Sequence, residues 1–192
     1  MEKVLLLATG FVLGLRHAFD PDHITAVTHF ISLQPYPKKG AGFGLRWGLG
    51  HAITVLAIGS LLIFLNIKIL NGFEKWAEIL VGFTLIGLAV WRLALLAKMR
   101  RHAHLHRHEG EIHTHEHSHL LSSEHVHLHA PTLVGMLHGA AGTLAVFVLI
   151  PLSFLSSKFL AYAYMLTFGL GCMLSMGIYG YVAGYFYQKA QQ

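Results

Sequence analysis

Residues 14–24 read Gly-Leu-Arg-His-Ala-Phe-Asp-Pro-Asp-His-Ile and close an apolar run. Within them Arg16, His17, Asp20, Asp22 and His23 crowd five ionisable or coordinating groups into eight residues. Inside a membrane, such groups cost roughly 2.5–3.5 kcal/mol each at the centre of a spanning helix, and by default they mark function. Two imidazoles and two carboxylates close together suit a first-row divalent metal. The plainer alternative is a structural polar cluster, an ion pair with histidines bonded to backbone.

On a straight helix His17, Asp20 and His23 share one face with Arg16 beside them, and Asp22 falls nearly opposite. Pro21 argues against a straight helix. It lacks an N–H, so the carbonyl of His17 loses its helical partner, and its ring clashes with that turn. Broken backbone at membrane depth is tolerated where it lines a cavity. A break at Pro21 would swing Asp22 and His23 round and offer the His17 carbonyl as a further oxygen ligand. An Arg16–Asp20 pair at i,i+4 would leave Asp22 as the anionic ligand.

Other histidines lie in apolar segments. His51 follows Gly44, Gly48 and Gly50, whose spacing allows close helix approach towards the first helix. His138 sits among Gly135, Gly139, Ala140, Ala141 and Gly142. Each reads either as a ligand or as a packing histidine bonded to backbone. His29, six residues past His23, reads as solvated or structural near an interface.

The elements that must position these groups are membrane helices. The 192 residues are 54% hydrophobic and 12% charged, with a mean hydropathy of +0.54. Soluble domains carry about 25% charged residues. Five segments are long enough to span about 30 Å of hydrocarbon: Val4–Ile24, Leu45–Leu65, Trp76–Ala97, Thr132–Phe154 and Phe159–Tyr187. The expected fold class is an all-α polytopic membrane helix bundle. The first segment lacks a basic flank and a small-residue cleavage site, and reads as a retained helix. Pro35, Pro37, Lys38, Lys39 and Gly40 mark the first loop, Asn66 to Lys75 the second and Ser153 to Lys158 the fourth. The single Cys172 excludes an intrachain disulfide and reads as a packing residue. The net charge of +5 reflects orientation and not nucleic-acid binding. Lys38, Lys39, Arg46, Lys98, Arg100, Arg101, Arg107 and Lys189 outnumber Lys3, Lys68, Lys75 and Lys158 on the opposite side. This places the N-terminus outside, and the C-terminus and the loop after the third span in the cytoplasm, of a cell-membrane protein.

An internal repeat supports this plan. Gly14-Leu-Arg-His17 recurs as Gly135-Met-Leu-His138, and Trp47-Gly-Leu-Gly50 as Phe168-Gly-Leu-Gly171, each 121 residues later. A repeat unit of three helices inverts the second copy in the membrane. The third helix of that copy would recur beyond Gln192, so the expectation is an inverted three-plus-two repeat. The sixth helix would be truncated, lost or supplied by another subunit, and Gly177, Gly180 and Gly184 are candidates for an exposed small-residue surface that a partner covers. The domains are then 1–97, the first repeat with the metal-site helix; 98–131, a cytoplasmic histidine-rich loop; and 132–192, the incomplete second repeat. Arg16, Asp20, Asp22, His23 and His51 align with Leu137, Ala141, Thr143, Leu144 and Cys172. Only His17 keeps its counterpart, His138.

The loop carries His102, His104, His106 and His108, then His113, His115, His117 and His119, then His125, His127 and His129. This spacing of two fits no helix face. An extended stretch would put the imidazoles on one side, and the polar composition favours a disordered chain. Neutral imidazole binds Ni, Co, Cu and Zn, so metal capture or buffering is favoured over a solvated linker. Flexible imidazoles cannot select one metal.

The segment Arg16-His-Ala-Phe-Asp-Pro-Asp-His23-Ile resembles the signature helix of the nickel/cobalt transporter family of the high-affinity nickel permease type. That signature is H-x-x-x-x-D-H in an R-H-A-x-D-A-D-H-I context, and Pro21 replaces its usual alanine. Leu49-Gly-His51 and Leu137-His138-Gly are also similar to family elements. The short urease-accessory or hydrogenase-associated branch, or the histidine-loop efflux branch, fits best. The resemblance implies transport of Ni²⁺ or Co²⁺ with His17, Asp22 and His23 central. Asp20, His51 and His138 are secondary metal candidates. No prosthetic cofactor is expected and no enzymatic activity. The expected partners are the metal ion, the bilayer, a further helix or second copy, and a cytoplasmic metallochaperone. Two rival classes are an intramembrane metalloenzyme, for which H-E-x-x-H is lacking, and a membrane-anchored metal buffer or sensor working through the loop.

Overall fold

The computed structural model describes residues 1–65, 73–99, 104–108, 111–115, 129–140 and 157–191. Its elements are α1 (Glu2–His17), α2 (Pro21–Leu33), α3 (Pro37–Leu65), α4 (Phe73–Met99), β1 (His104–His108), β2 (Glu111–His115), α5 (Ala130–Ala140) and α6 (Lys158–Lys189).

The first expected span is broken. α1 and α2 are bent by 60° across three linking residues, Ala18 to Asp20. The cause is local. A residue before proline is disfavoured in the helical region, and Asp20 takes the extended values φ −61° and ψ 140°. Pro21 then opens α2 at its first position, where a missing N–H costs nothing. α2 continues to Leu33, beyond the expected end at Ile24. Pro37 likewise starts α3, so Lys38, Lys39 and Gly40 belong to the first turn of a helix and not to a loop. Pro37–Leu61 and Lys158–Lys189 are long and apolar enough to cross a membrane, and the bent α1–α2 pair passes the same test only when its two helices are taken together, as a broken span or a re-entrant loop. Of the expected Thr132–Phe154 span, the part from Thr132 to Ala140 falls in α5, and 141–154 lies outside the described residues.

Small residues set the packing. Along α3, Gly40, Gly44 and Gly48 meet Gly180, Met176 and Met173 of α6 in descending order, so these helices run antiparallel. α1 and α6 rise together: Gly10 faces Tyr164 and Thr167, and Gly14 faces Phe168. α5 and α3 also rise together, with Gly135 against Trp47 and Gly139 against His51. A Cβ at Gly14 would collide with the Phe168 carbonyl oxygen, and one at Gly135 with the Trp47 carbonyl oxygen. The pair Gly50–Thr132 is matched in the same way by Gly171–Phe11. These four contacts correspond in pairs at the 121-residue offset, Gly14–Phe168 with Gly135–Trp47 and Gly50–Thr132 with Gly171–Phe11.

Two apolar clusters result. One gathers Ala26, Val27, Phe30, Ile31, Phe43, Trp47, Val134 and Met176; the other gathers Val55, Ala161, Tyr164, Met165 and Phe168. Phe83, Phe159, Ile178 and Tyr181 are exposed, a surface suited to lipid. Gly177, Gly180 and Gly184 do not form an exposed surface. They pack on Leu45, on Gly40 and on Tyr36 and Pro37, because the descending register with α3 uses them.

Within the loop, β1 and β2 pair antiparallel, with His104 opposite His115, His106 opposite His113 and His108 opposite Glu111. These ten residues form a hairpin and not a disordered chain, since a period of two matches a strand.

Gly44→Ala should lower stability by about 1–3 kcal/mol through overpacking. Gly87→Ala, whose Cβ meets nothing within 4 Å, should raise it by about 0.5–1 kcal/mol. Thermal unfolding in detergent measures both.

Candidate metal centre

The bend at Asp20–Pro21 frees the His17 carbonyl, which accepts from the Asp20 N–H at 3.0 Å. The same oxygen lies 3.1 Å from Nδ1 of His23. A carbonyl can only accept, so His23 Nδ1 carries the proton and Nε2 keeps its lone pair. His138 is fixed in the same way: Nδ1 lies 2.8 Å from the Val134 carbonyl oxygen. This use of one ring nitrogen to orient the other is usual for metal-binding histidines.

α1, α2, α3 and α5 thus bring four buried imidazoles together. Ring centroids lie 4.6 Å apart for His17 and His23, 5.2 Å for His17 and His51, 5.2 Å for His23 and His51, and 5.7 Å for His23 and His138. Among the described residues, both ring nitrogens of His51 and Nε2 of His138 have no hydrogen-bond partner. Ligand atoms of His17, His23 and His51 lie within 4.8 Å of one another, as do those of Asp20, Asp22 and His23. Two nitrogens bound to one ion at about 2.1 Å are at most about 4.2 Å apart, so small side-chain rotations close the first trio.

The carboxylates stand at the rim. Asp20 Oδ2 lies 2.8 Å from His17 Nδ1, and Asp22 Oδ2 lies 3.5 Å from His23 Nε2. Their side chains are 36% and 35% exposed. The expected Arg16–Asp20 pair is not among the ion pairs of the described residues, and Arg16 is exposed. The end of α1 at His17 removes the regular i,i+4 geometry that this pair needs.

His29 stays outside the cluster and half-buried, its ring 5.1 Å from Trp91 and 5.3 Å from Phe30. Cys172 is buried, at the position equivalent to His51, and joins neither ligand group. Of the loop histidines, His104, His106, His108, His113 and His115 fall in the hairpin and His129 just before α5. His102, His117, His119, His125 and His127 lie outside the described residues.

Sequence reasoning missed two aromatic residues. Trp47 stacks on His51 at 5.3 Å and 16°, and lies 4.6 Å from His23 and 5.6 Å from His138. Phe168 lies 5.3 Å from His17. Their equivalence in the repeat was the available signal.

Over residues 4–139 the chain matches the NicO family, described as high-affinity nickel-transport protein. It is 30% identical over 188 residues to the urease accessory protein UreH of Bacillus sp. (strain TB-90), covering 92% of this chain and 75% of that protein. It is 34% identical over 70 residues to the nickel transporter NixA of Staphylococcus aureus (strain NCTC 8325 / PS 47), covering 36% of this chain and 18% of that protein. No solved structure matches.

The carbonyl bonds predict tautomers. In ¹⁵N spectra of the metal-free protein, His23 and His138 should both be protonated at Nδ1; protonation at Nε2 of either would contradict this geometry.

Proposed function

The chain belongs to the NicO family of high-affinity nickel-transport proteins, and from that premise we propose that Ni²⁺ crosses the membrane through the four-histidine cluster. His17, His23 and His51 are the inner ligands, with His138 completing the set from the second repeat. Asp22 supplies negative charge beside His23. Asp20 orients His17 as a carboxylate partner and does not ligate. The observation that carries this reading is a buried cluster in which both ring nitrogens of His51 and Nε2 of His138 have no partner, while Nδ1 of His138 and of His23 bond backbone carbonyls. Buried polar atoms are normally satisfied, and a cation takes up one imidazole lone pair from each ring. Co²⁺, with similar ligand preferences, is a second substrate.

The architecture proposed is an inverted repeat of three helices plus two, divided as 1–97, 98–131 and 132–192. Its support is the exchange of glycine contacts at the 121-residue offset and the antiparallel course of α3 and α6. α4 packs against α2 and α5, and a further helix or a second copy takes the equivalent place against α1. The Lys and Arg balance places the N-terminus outside, and the C-terminus and loop in the cytoplasm. There the histidine-rich loop gathers metal and passes it to or from a metallochaperone. A potential worth about 2.3 kcal/mol per charge per 100 mV can drive the ion inward.

His17→Ala, His23→Ala and Asp22→Ala should each abolish Ni²⁺ flux into proteoliposomes while the protein remains inserted. Asp20→Asn should instead weaken metal affinity by roughly 10–100-fold, as loss of an orienting partner does. Normal flux in the His17→Ala/His23→Ala double variant would place the site elsewhere.

Deleting residues 102–129 should lower the metal bound per chain and preserve flux. Loss of all transport by a folded deletion variant would make the loop part of the pathway.

A further inference from the structure

Trp47 and Phe168 are equivalent positions in the two repeats, and so are His138 and His17. Each aromatic ring packs on the histidine of the opposite copy: Trp47 on His138 at 5.6 Å, Phe168 on His17 at 5.3 Å. The backbone beneath each ring is gripped in the same way. Gly135, three residues before His138, abuts the Trp47 carbonyl, and Gly14, three residues before His17, abuts that of Phe168. Trp47 is fully buried and Phe168 1% exposed. Since Trp47 also contacts His23 and His51, every imidazole of the cluster touches one of the two rings.

We propose that Trp47 and Phe168 are paired positioning residues for the transported ion, each holding the histidine of the opposite repeat and together walling the cluster against water. This rests on the four-histidine site proposed above. The chemistry is that of a wall of ring faces, whose one polar atom, the buried and unpartnered Trp47 Nε1–H, can only donate. An arriving divalent cation carries water, and those waters need hydrogen-bond acceptors. The ring faces offer none comparable to water, so hydration is lost where they stand and imidazole nitrogen replaces it. The polar opening is left to Asp20 and Asp22, whose carboxylates can accept from the departing waters. Trp47 contacts three imidazoles and Phe168 one, so the two walls are unequal in effect.

Co²⁺ added to the detergent-solubilised full chain provides the test, through the visible bands that strengthen as its coordination number falls. The difference spectrum between the native chain and His23→Ala isolates the membrane site, because the loop is common to both. Trp47→Leu should weaken Co²⁺ affinity at this site by roughly tenfold or more and reduce band intensity as water enters. Phe168→Leu should do so less, and Trp47→Phe should restore most of the intensity. Phe168→Leu removes a single imidazole contact and decides alone if Trp47→Leu does not elute as a folded protein. Native spectra and affinity in folded Leu variants would overturn the positioning role and leave the site reading intact. No difference between the native chain and His23→Ala would remove the site itself, and this inference with it.

Discussion

The conformation of Asp20 governs the site. Because Pro21 follows it, Asp20 is held in an extended conformation, and one continuous helix becomes two. From that bend follow the turn of the His17 carbonyl towards the Asp20 N–H and His23, the orientation of His23 beneath it, and the position of both carboxylates on the rim. With a residue other than proline at position 21, a straight helix would bond that carbonyl to its N–H and leave His23 without an anchor. One residue without an N–H thus decides which ring nitrogens face the cluster.

The rest of the site is brought to this bend by backbone proximity. Helices that meet through glycine approach closely enough for short side chains to matter, and His51 and His138 reach His23 because α5 lies against α3 along Gly135 and Gly139. In lipid there is little hydrophobic gain from joining helices, so van der Waals fit carries much of the association. The glycines that allow the packing therefore also set the ligand distances. Tyr179 on α6 reaches Thr28 on α2 at 2.5 Å, and Ser175 bonds the Leu15 carbonyl at 3.1 Å, so α6 clamps both halves of the bent pair.

Much of this was legible in the sequence. The spacing of His17, Asp20, Asp22 and His23 announced a polar cluster, and Pro21 announced the break. The recurrence of Gly14-Leu-Arg-His17 and Trp47-Gly-Leu-Gly50 marked positions whose glycine contacts correspond at the 121-residue offset. Other features were not legible, for physical reasons. Helical periodicity assigned Asp20 to Arg16, whereas the broken backbone assigns it to His17; a wheel projection fails where the helix stops. The continuation of α2 to Leu33 and the start of α3 at Pro37 were hidden because proline reads as a loop signal, yet it is well placed at a helix start. Gly177, Gly180 and Gly184 looked like a surface awaiting a partner, but which face a glycine stripe turns to a neighbour is set by tertiary register. The contacts of Trp47 and Phe168 were not legible, since aromatic residues in an apolar segment carry no local mark of what they will touch.

His17 is walled by Phe168, which follows it by 151 residues. During synthesis the ligand-bearing bend emerges first and the wall last. At about 5–20 residues per second, the interval between them is on the order of ten seconds. Through that time the nascent chain holds two imidazoles and two carboxylates beside a flank of α1 that α6 will cover. A half-made protein therefore exposes its binding groups before it can enclose them. Enclosure becomes a late event in biogenesis, coupled to insertion of α6.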